Sequence, residues 1–519
     1  MLALFSTSPA YALPQLRVVT NTNDSGDGSL RQAIFDADSS NSGDTIAFQS
    51  GLTGTITLTS GSLVIEDSLT INGPGASTLA ISGGGSSQVF VVDMDATVSI
   101  SGLTIESGST KGSDGGGIES FGTLTVTDSV IADNSAHGGG GISSFGTLTL
   151  TNATIFENDS DGAIGAGGID IRGAATLTNV NVSENIAGGG AGGGISVSDN
   201  ATVTIVNSTV SNNTCESGGG ISLDSGSTLT ITNSTVFGNS ATLDGGGVRS
   251  MGALTITNST ISGNNAKANE GGGIEFGGVT KLKNTIVASN PMGGNCDSNG
   301  GLTSFGHNLS DDSTCDSFLT GTGDLNETPA GLDPGGLKDN GGPTLTVALM
   351  ANSAAVDAVP VTPTNFCTPL TTDQRGMTRP LGAACDIGSF ERAPTPVAGR
   401  LKISPKKLNF GTVTVNQPKT MTVKIANAGK IKKKNQPLPI LIEMESVAGS
   451  PFSVRTECVD NDLQPKGKGV PASATSCEVA VQFEPTDAVS YKGTLMIIDN
   501  LEPTGMQTVQ LAGKGRASK

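Results

Sequence analysis

Along most of this chain the apolar residues come in short alternating runs rather than in helical stripes. Leu229-Thr-Ile231-Thr and Leu254-Thr-Ile256-Thr each set an apolar side chain at every second position with threonine between, the pattern of a half-buried strand. Each run closes on an asparagine, and a second short run ending in Val236 or Ile261 follows. An apolar residue also follows each glycine pair, at Ile118, Ile142, Ile169, Ile195, Ile221, Val248 and Ile274, with spacings of 24, 27, 26, 26, 27 and 26. The chain therefore repeats every ~26 residues, and each unit offers two or three short strands separated by turns. Weaker copies at Ile56-Thr-Leu58, Leu63-Val-Ile65, Leu69-Thr-Ile71, Leu79-Ala-Ile81 and Val98-Ser-Ile100 extend the series toward the N-terminus. Coils are thus expected over 45–310, about ten of them in a rod of roughly 50 Å.

Two asparagine columns keep the same period. One runs through Asn152, Asn179, Asn207, Asn233, Asn258 and Asn284, opened by Asp128; the other through Asn134, Asn158, Asn185, Asn213, Asn239, Asn264 and Asn290. Side chains recurring once per coil stack at ~4.8 Å when successive coils pair as parallel strands, and stacked amides hydrogen-bond along the column. The fold class this predicts is all-β, a parallel β-helix. The Asn-Ser-Thr triplets also match a glycosylation sequon, but their strict period favours a structural ladder. The glycine triplets serve the same architecture by allowing positive φ and close approach at corners. Ahead of the coils, Leu30, Ala33, Ile34 and Ala37 recur at helical spacing behind Ser29, so residues 15–44 read as an N-terminal cap containing a short helix.

Composition narrows the function classes. The 519 residues include 74 glycines, two tyrosines and no tryptophan. The longest apolar runs fall short of the ~18 residues a membrane-spanning helix needs, so no transmembrane segment is expected. Residues 1–399 carry a net charge of −25 and residues 400–519 one of +7, which marks a boundary. An acidic body lacks the Lys and Arg that phosphate contacts require, and nucleic acid is excluded as its partner. Residues 1–14, ending in Ala10-Tyr11-Ala12, have the apolar stretch and small-x-small site of a signal peptide without its basic start, as in a truncated one. Cys296 with Cys315, Cys367 with Cys385, and Cys458 with Cys477 are near neighbours, spaced as local disulfides of an exported protein. Cys215 stands apart from them.

Thr20-Asn-Thr-Asn-Asp-Ser-Gly-Asp-Gly-Ser-Leu-Arg-Gln-Ala-Ile34, followed by Asp44-Thr-Ile-Ala-Phe48, resembles the opening of bacterial secreted right-handed parallel β-helix proteins of the pectin-lyase-like superfold. Asn295-Cys296, Gly306-His-Asn-Leu309, Asp339-Asn-Gly-Gly-Pro-Thr344, Asp373-Gln-Arg-Gly376 and Ala384-Cys-Asp-Ile-Gly-Ser-Phe-Glu391 resemble the choice-of-anchor Q region that follows such helices. The resemblance implies a right-handed helix, export and display at a bacterial surface, and no particular reaction. It places a capping region at 311–392 and a linker at 393–400. Residues 401–519, with alternating runs such as Met421-Thr-Val-Lys-Ile425 and Cys477-Glu-Val-Ala-Val-Gln-Phe483, read as a β-sandwich and resemble immunoglobulin-like domains of the Hydin and SPD-2 type.

Parallel β-helices include polysaccharide-cleaving enzymes, so catalysis is judged by site. Asp93 and Asp95 lie two apart on an expected strand whose Phe90, Val92 and Met94 face inward. Their carboxylates would stand ~7 Å apart on the outer face, near glycosidase separations. No base or aromatic joins them, and the expectation is solvated strand residues without a catalytic centre. Phe121, Phe145, Phe237 and Phe276 are expected to stack inside. Asp244 and Glu270 precede glycine triplets in successive coils and are the calcium candidates; the expectation is a chain without a cofactor. His137 and His307 lack a nucleophile partner, His307 reading as a hydrogen-bonding residue of the capping region. The basic run Lys430–Lys434 reads as an exposed loop of the second domain. The function expected is a secreted, cell-surface, non-catalytic adhesion, scaffold or ligand-display protein whose partner is an extracellular polysaccharide or surface component. The alternative is a polysaccharide lyase or glycoside hydrolase working on the outer groove. Oligomeric state is not indicated.

Overall fold

The structure, a computed structural model, describes residues 13–40, 43–162, 165–189, 191–267, 270–298, 300–361, 367, 371–393, 401–428, 440–448, 451–456, 462–463, 475–499 and 506–517. The chain divides into two compact units, 1–393 and 394–519. Residues 1–12, Cys458 and Lys430–Lys434, each the subject of an expectation above, lie outside the described residues.

The first unit is a parallel β-solenoid whose coils build three long sheets. Sheet A, twelve strands, begins at Leu16–Val19 and ends at Gly301–Ser304; sheet B, eleven strands, runs from Gly54–Thr57 to Leu309–Ser310; sheet C, ten strands, runs from Leu63–Ile65 to Cys296–Ser298. One coil shows the logic. Ile221–Leu223 lies in sheet C, Thr228–Thr232 in sheet A and Thr235–Phe237 in sheet B. Leu229 and Ile231 point inward, where stacked Ile, Leu and Val from successive coils form one continuous core with Phe90 and Phe276. Leu16–Val19 pairs with Thr45–Phe48, so sheet A starts within the N-terminal segment. Over the first coils lies the helix Leu30–Asp38, whose N-cap Ser29 accepts from the Gln32 N–H and whose Leu30, Ala33, Ile34 and Ala37 are buried.

The asparagines occupy two different environments. The residues from Asp128 to Asn284 form the corner between sheets A and B, all at φ of 47–57°, a left-handed conformation that asparagine tolerates better than most residues. Asn179 donates to Asn152 and Asn284 to Asn258 along this corner, at 3.0 and 2.9 Å. The second column is interior. Each of Asn134, Asn158, Asn185, Asn213, Asn239 and Asn264 donates from Nδ2 to Oδ1 of the next asparagine at 2.9–3.1 Å, and Asn290 passes the chain to Asn295.

Beyond the last coil, residues up to 393 perform two jobs. Cys315 and Leu319 join the solenoid core at its C-terminal end, where Cys296 is bonded to Cys315. A later stretch lies along the side of sheet B: the Gln374 amide bridges Thr209, Thr235 and Thr344, and the Ser389 N–H donates to Thr260. A buried Arg379–Glu391 pair at 3.1 Å and the Cys367–Cys385 bond hold this brace together. Among its described residues the second unit has two sheets, of four and five strands. They share a core containing Phe410, Phe452, Phe483, Val479 and Leu495.

Candidate functional site

The outward face of sheet C is where chemistry concentrates. The middle residues of its strands, Glu119, Ser143, Asp170, Ser196, Ser222, Arg249, Glu275 and Asp297, stand in unbroken register. An outward strand residue is ordinarily solvated, yet Asp170 and Glu275 are only 1% and 3% exposed. Corner glycines explain this: a Cβ at Gly271 would lie 2.8 Å from the Glu275 backbone nitrogen, and one at Gly165, in a coil whose triplet is interrupted by Ala166, 3.6 Å from the Asp170 carboxyl carbon. The first glycine of a triplet has positive φ and folds the loop back over the residue four positions on: a Cβ at Gly245 would lie 2.6 Å from that of Arg249, and one at Gly218 2.9 Å from that of Ser222. Only glycine lets the backbone approach so closely.

At the N-terminal part of the row, Arg172 sits 2.8 Å from both Asp114 and Asp170. Its guanidinium lies 4.6 Å over the Phe145 ring, and Phe145 stacks on Phe121 at 4.9 Å with an interplanar angle of 15°. Phe121 is 38% exposed. The two rings leave the sheet C strands at the same corner of successive coils, outside the core. The expectation of an internal column is thereby corrected for Phe121 and Phe145, whereas Phe276 is internal. Beside the rings, Glu119 accepts from the Gln88 amide at 3.2 Å. Burial, reinforced by Asp114, pushes the Glu119 carboxyl upward; burial also raises Asp170 against the opposing pull of Arg172.

At the C-terminal part, Glu275 is paired in register with Arg249 on one side and Asp297 on the other. Burial raises its carboxyl to about 7, aided by Asp244, Asp297 and Glu270 and opposed by Arg249. Such a group exchanges a proton near neutrality, the property a general acid needs. Arg249 lies 3.2 Å from Asp244, one of the two calcium candidates. Asp244 and Glu270 do adjoin, the Gly245 N–H donating to the Glu270 carbonyl at 2.9 Å. Among the described residues no three His, Cys, Asp or Glu side chains converge to hold a metal ion.

Asp93 and Asp95 require a correction. The strand ends at Val92, and both aspartates sit with exposed Met94 in the turn that follows. Asp93 accepts from the Met94 N–H at 2.6 Å, closing the turn locally, and the alternation that placed Met94 inward stops two residues earlier, at Val92. His137 lies at the surface 3.6 Å from Asp161. His307 is buried in the end cover, with its backbone N–H donating to Thr322, and burial lowers its imidazole. Cys215 is interior, its thiol raised by burial. Glu119, Asp170, Arg172 and Glu275 were not singled out by sequence reasoning, although one signal marks each strand: its outward residue directly follows the apolar residue after a glycine pair.

No curated protein matches the chain. Among solved structures, the secreted serine protease VesC from Vibrio cholerae aligns at 17% identity over 23% of this chain and 23% of its own, with a TM-score of 0.18. The ASH/PapD-like domain 7 of human CEP192 aligns at 12% identity over 24% of this chain and 91% of its own, also with a TM-score of 0.18. The family model described as right handed beta helix region matches residues 39–236 and 168–310. That span takes in the coils carrying both ends of the polar row, and the chain belongs to the right-handed β-helix family.

Proposed function

We propose that this protein is an extracellular, cell-surface-associated β-helical protein that binds a polysaccharide on the outer face of sheet C, in an adhesion or ligand-display role. The observation that carries the reading is the outward Phe121–Phe145 stack beside Arg172 and Asp114. A sugar ring has apolar C–H faces that lie on aromatic rings and hydroxyls that pair with carboxylates and guanidinium groups. Local disulfides suit an oxidising compartment, and the choice-of-anchor and Hydin-type resemblances suit surface display. A glycan array probed with the purified protein, followed by titration of the best ligand, tests the reading. Phe121→Ala, which removes the exposed ring, is expected to weaken binding about tenfold, near the stacking contribution of an aromatic face, and Phe145→Ala, whose ring is covered by Phe121 on one face and Arg172 on the other, to weaken it less. Retention of full affinity in both variants would remove this site from the proposal.

A second reading, polysaccharide cleavage, is favoured by one observation: Glu275 has a carboxyl titrating at about 7 between Asp244 and Asp297. The proton-bearing Glu275, 3% exposed beneath the corner at Gly271, would protonate a leaving oxygen with that corner displaced, while a neighbouring aspartate activates water. Release of reducing ends that disappears in Glu275→Gln would establish it. Absence of product across acidic, neutral and amino-sugar polysaccharides would leave binding alone.

A further inference from the structure

Sheet A presents a different surface. In its strands from Thr97–Ser101 through Ala253–Thr257 the first, third and fifth residues point outward and the second and fourth are buried. Every outward position in these seven strands is Thr or Ser except Ala174, Val206 and Ala253. Pairing passes from coil to coil without a register shift, so the side chains form three straight ranks. The lattice repeats about 4.8 Å along the rod and about 6.7 Å along each strand.

Threonine's strand preference explains its use at any one position. It does not explain why a solvated face in a segment of net charge −25 carries no ionisable side chain over seven coils. The series ends where Lys281 and Lys283 take the next outward positions. A charged polymer meets no counter-charge here, and a single sugar or peptide meets no aromatic ring within the ranks; the cavity shared by Thr255, Thr257, Lys281, Lys283 and Phe305 lies at their C-terminal border. A rigid, uncharged, periodic array of hydrogen-bonding groups meets a matching contact on every coil. Threonine is suited to such a partner, because its χ1 is stiff and little rotamer freedom remains to be lost. Its hydroxyl bonds a water while its methyl holds neighbouring waters in place.

We propose that the outward face of sheet A binds ice, the ranked hydroxyls and methyls ordering water into the crystal lattice. The proposal is independent of the glycan reading of sheet C. The test uses the full chain: partition into a slowly grown ice hemisphere, and the gap between melting and freezing points of a single crystal. The protein is expected to enrich in ice and to open such a gap. Thr176→Tyr with Thr204→Tyr, outward on adjacent coils, should abolish both effects while circular dichroism and melting temperature stay those of the parent. Lys111→Ala, away from the face, should keep them. Exclusion of the parent protein from ice would overturn the proposal, as would enrichment of the folded tyrosine variant at the parent level. Binding to crystalline cellulose or self-association through this face, without ice enrichment, would also overturn it.

Discussion

A single asparagine does different work in the two columns, and substitutions separate the roles. Asn213 accepts from the Asn185 N–H and amide and donates to Asn239 and to the Val182 carbonyl. Removing it orphans buried groups on both sides at ~1–3 kcal/mol each, so Asn213→Ala is expected to lower unfolding free energy by about 3 kcal/mol in denaturant titration. At Asn152 the requirement is chiefly conformational, φ being 51° on an exposed corner. Asn152→Gly should be nearly neutral and Asn152→Ala should cost about 1 kcal/mol. Equal losses for the two would refute a backbone role. Glu275 adds a pH dependence. Its folded pKa of about 7 lies above the ordinary 4.5, so the folded state holds a proton that the unfolded state has released. Stability is therefore expected to fall as pH rises from 4.5 to 7 and then level off. Glu275→Gln should flatten that part of a melting-temperature profile, and an unchanged slope would place its origin elsewhere.

At the scale of an element, the corner glycines are testable against a glycine with room. A Cβ at Gly220 would lie 2.5 Å from the Gly247 carbonyl oxygen, whereas one at Gly301 meets nothing within 4 Å. Gly220→Ala should cost ~1–3 kcal/mol by overpacking and Gly301→Ala almost nothing. The repeat was legible in the sequence because each coil states the same strand, corner and glycine in the same order, and Ile221 or Leu229 announces its inward direction by alternation. The polar row was harder to see. Arg172, Asp114 and Phe145 become neighbours only once the exact register of three coils is fixed, and one residue of slip would turn their side chains elsewhere. The strand placement of Asp93 and Asp95 went astray for a local reason: alternation continues through Met94 in the sequence, while the Asp93 carboxylate takes the Met94 N–H beyond the strand end at Val92.

For the whole molecule, 1–393 and 394–519 are compact by themselves. A fragment covering 1–393 is expected to melt cooperatively with the solenoid transition of the full chain, and loss of structure in that fragment would show that the second unit is required. The end cover has a larger consequence. A stack of parallel coils terminates in unpaired strand edges, and here Cys296–Ser298 is the last rung of sheet C while the segment bonded through Cys315 lies against it. Each coil is also a near-copy of the next, so an uncovered end offers the docking surface that another rod's first coil would need. The Cys296–Cys315 bond ties the cover to that last rung, so the reduced protein is expected to expose the edge, while the first coils keep the helix Leu30–Asp38 over them and end-to-end growth would need that cap displaced as well.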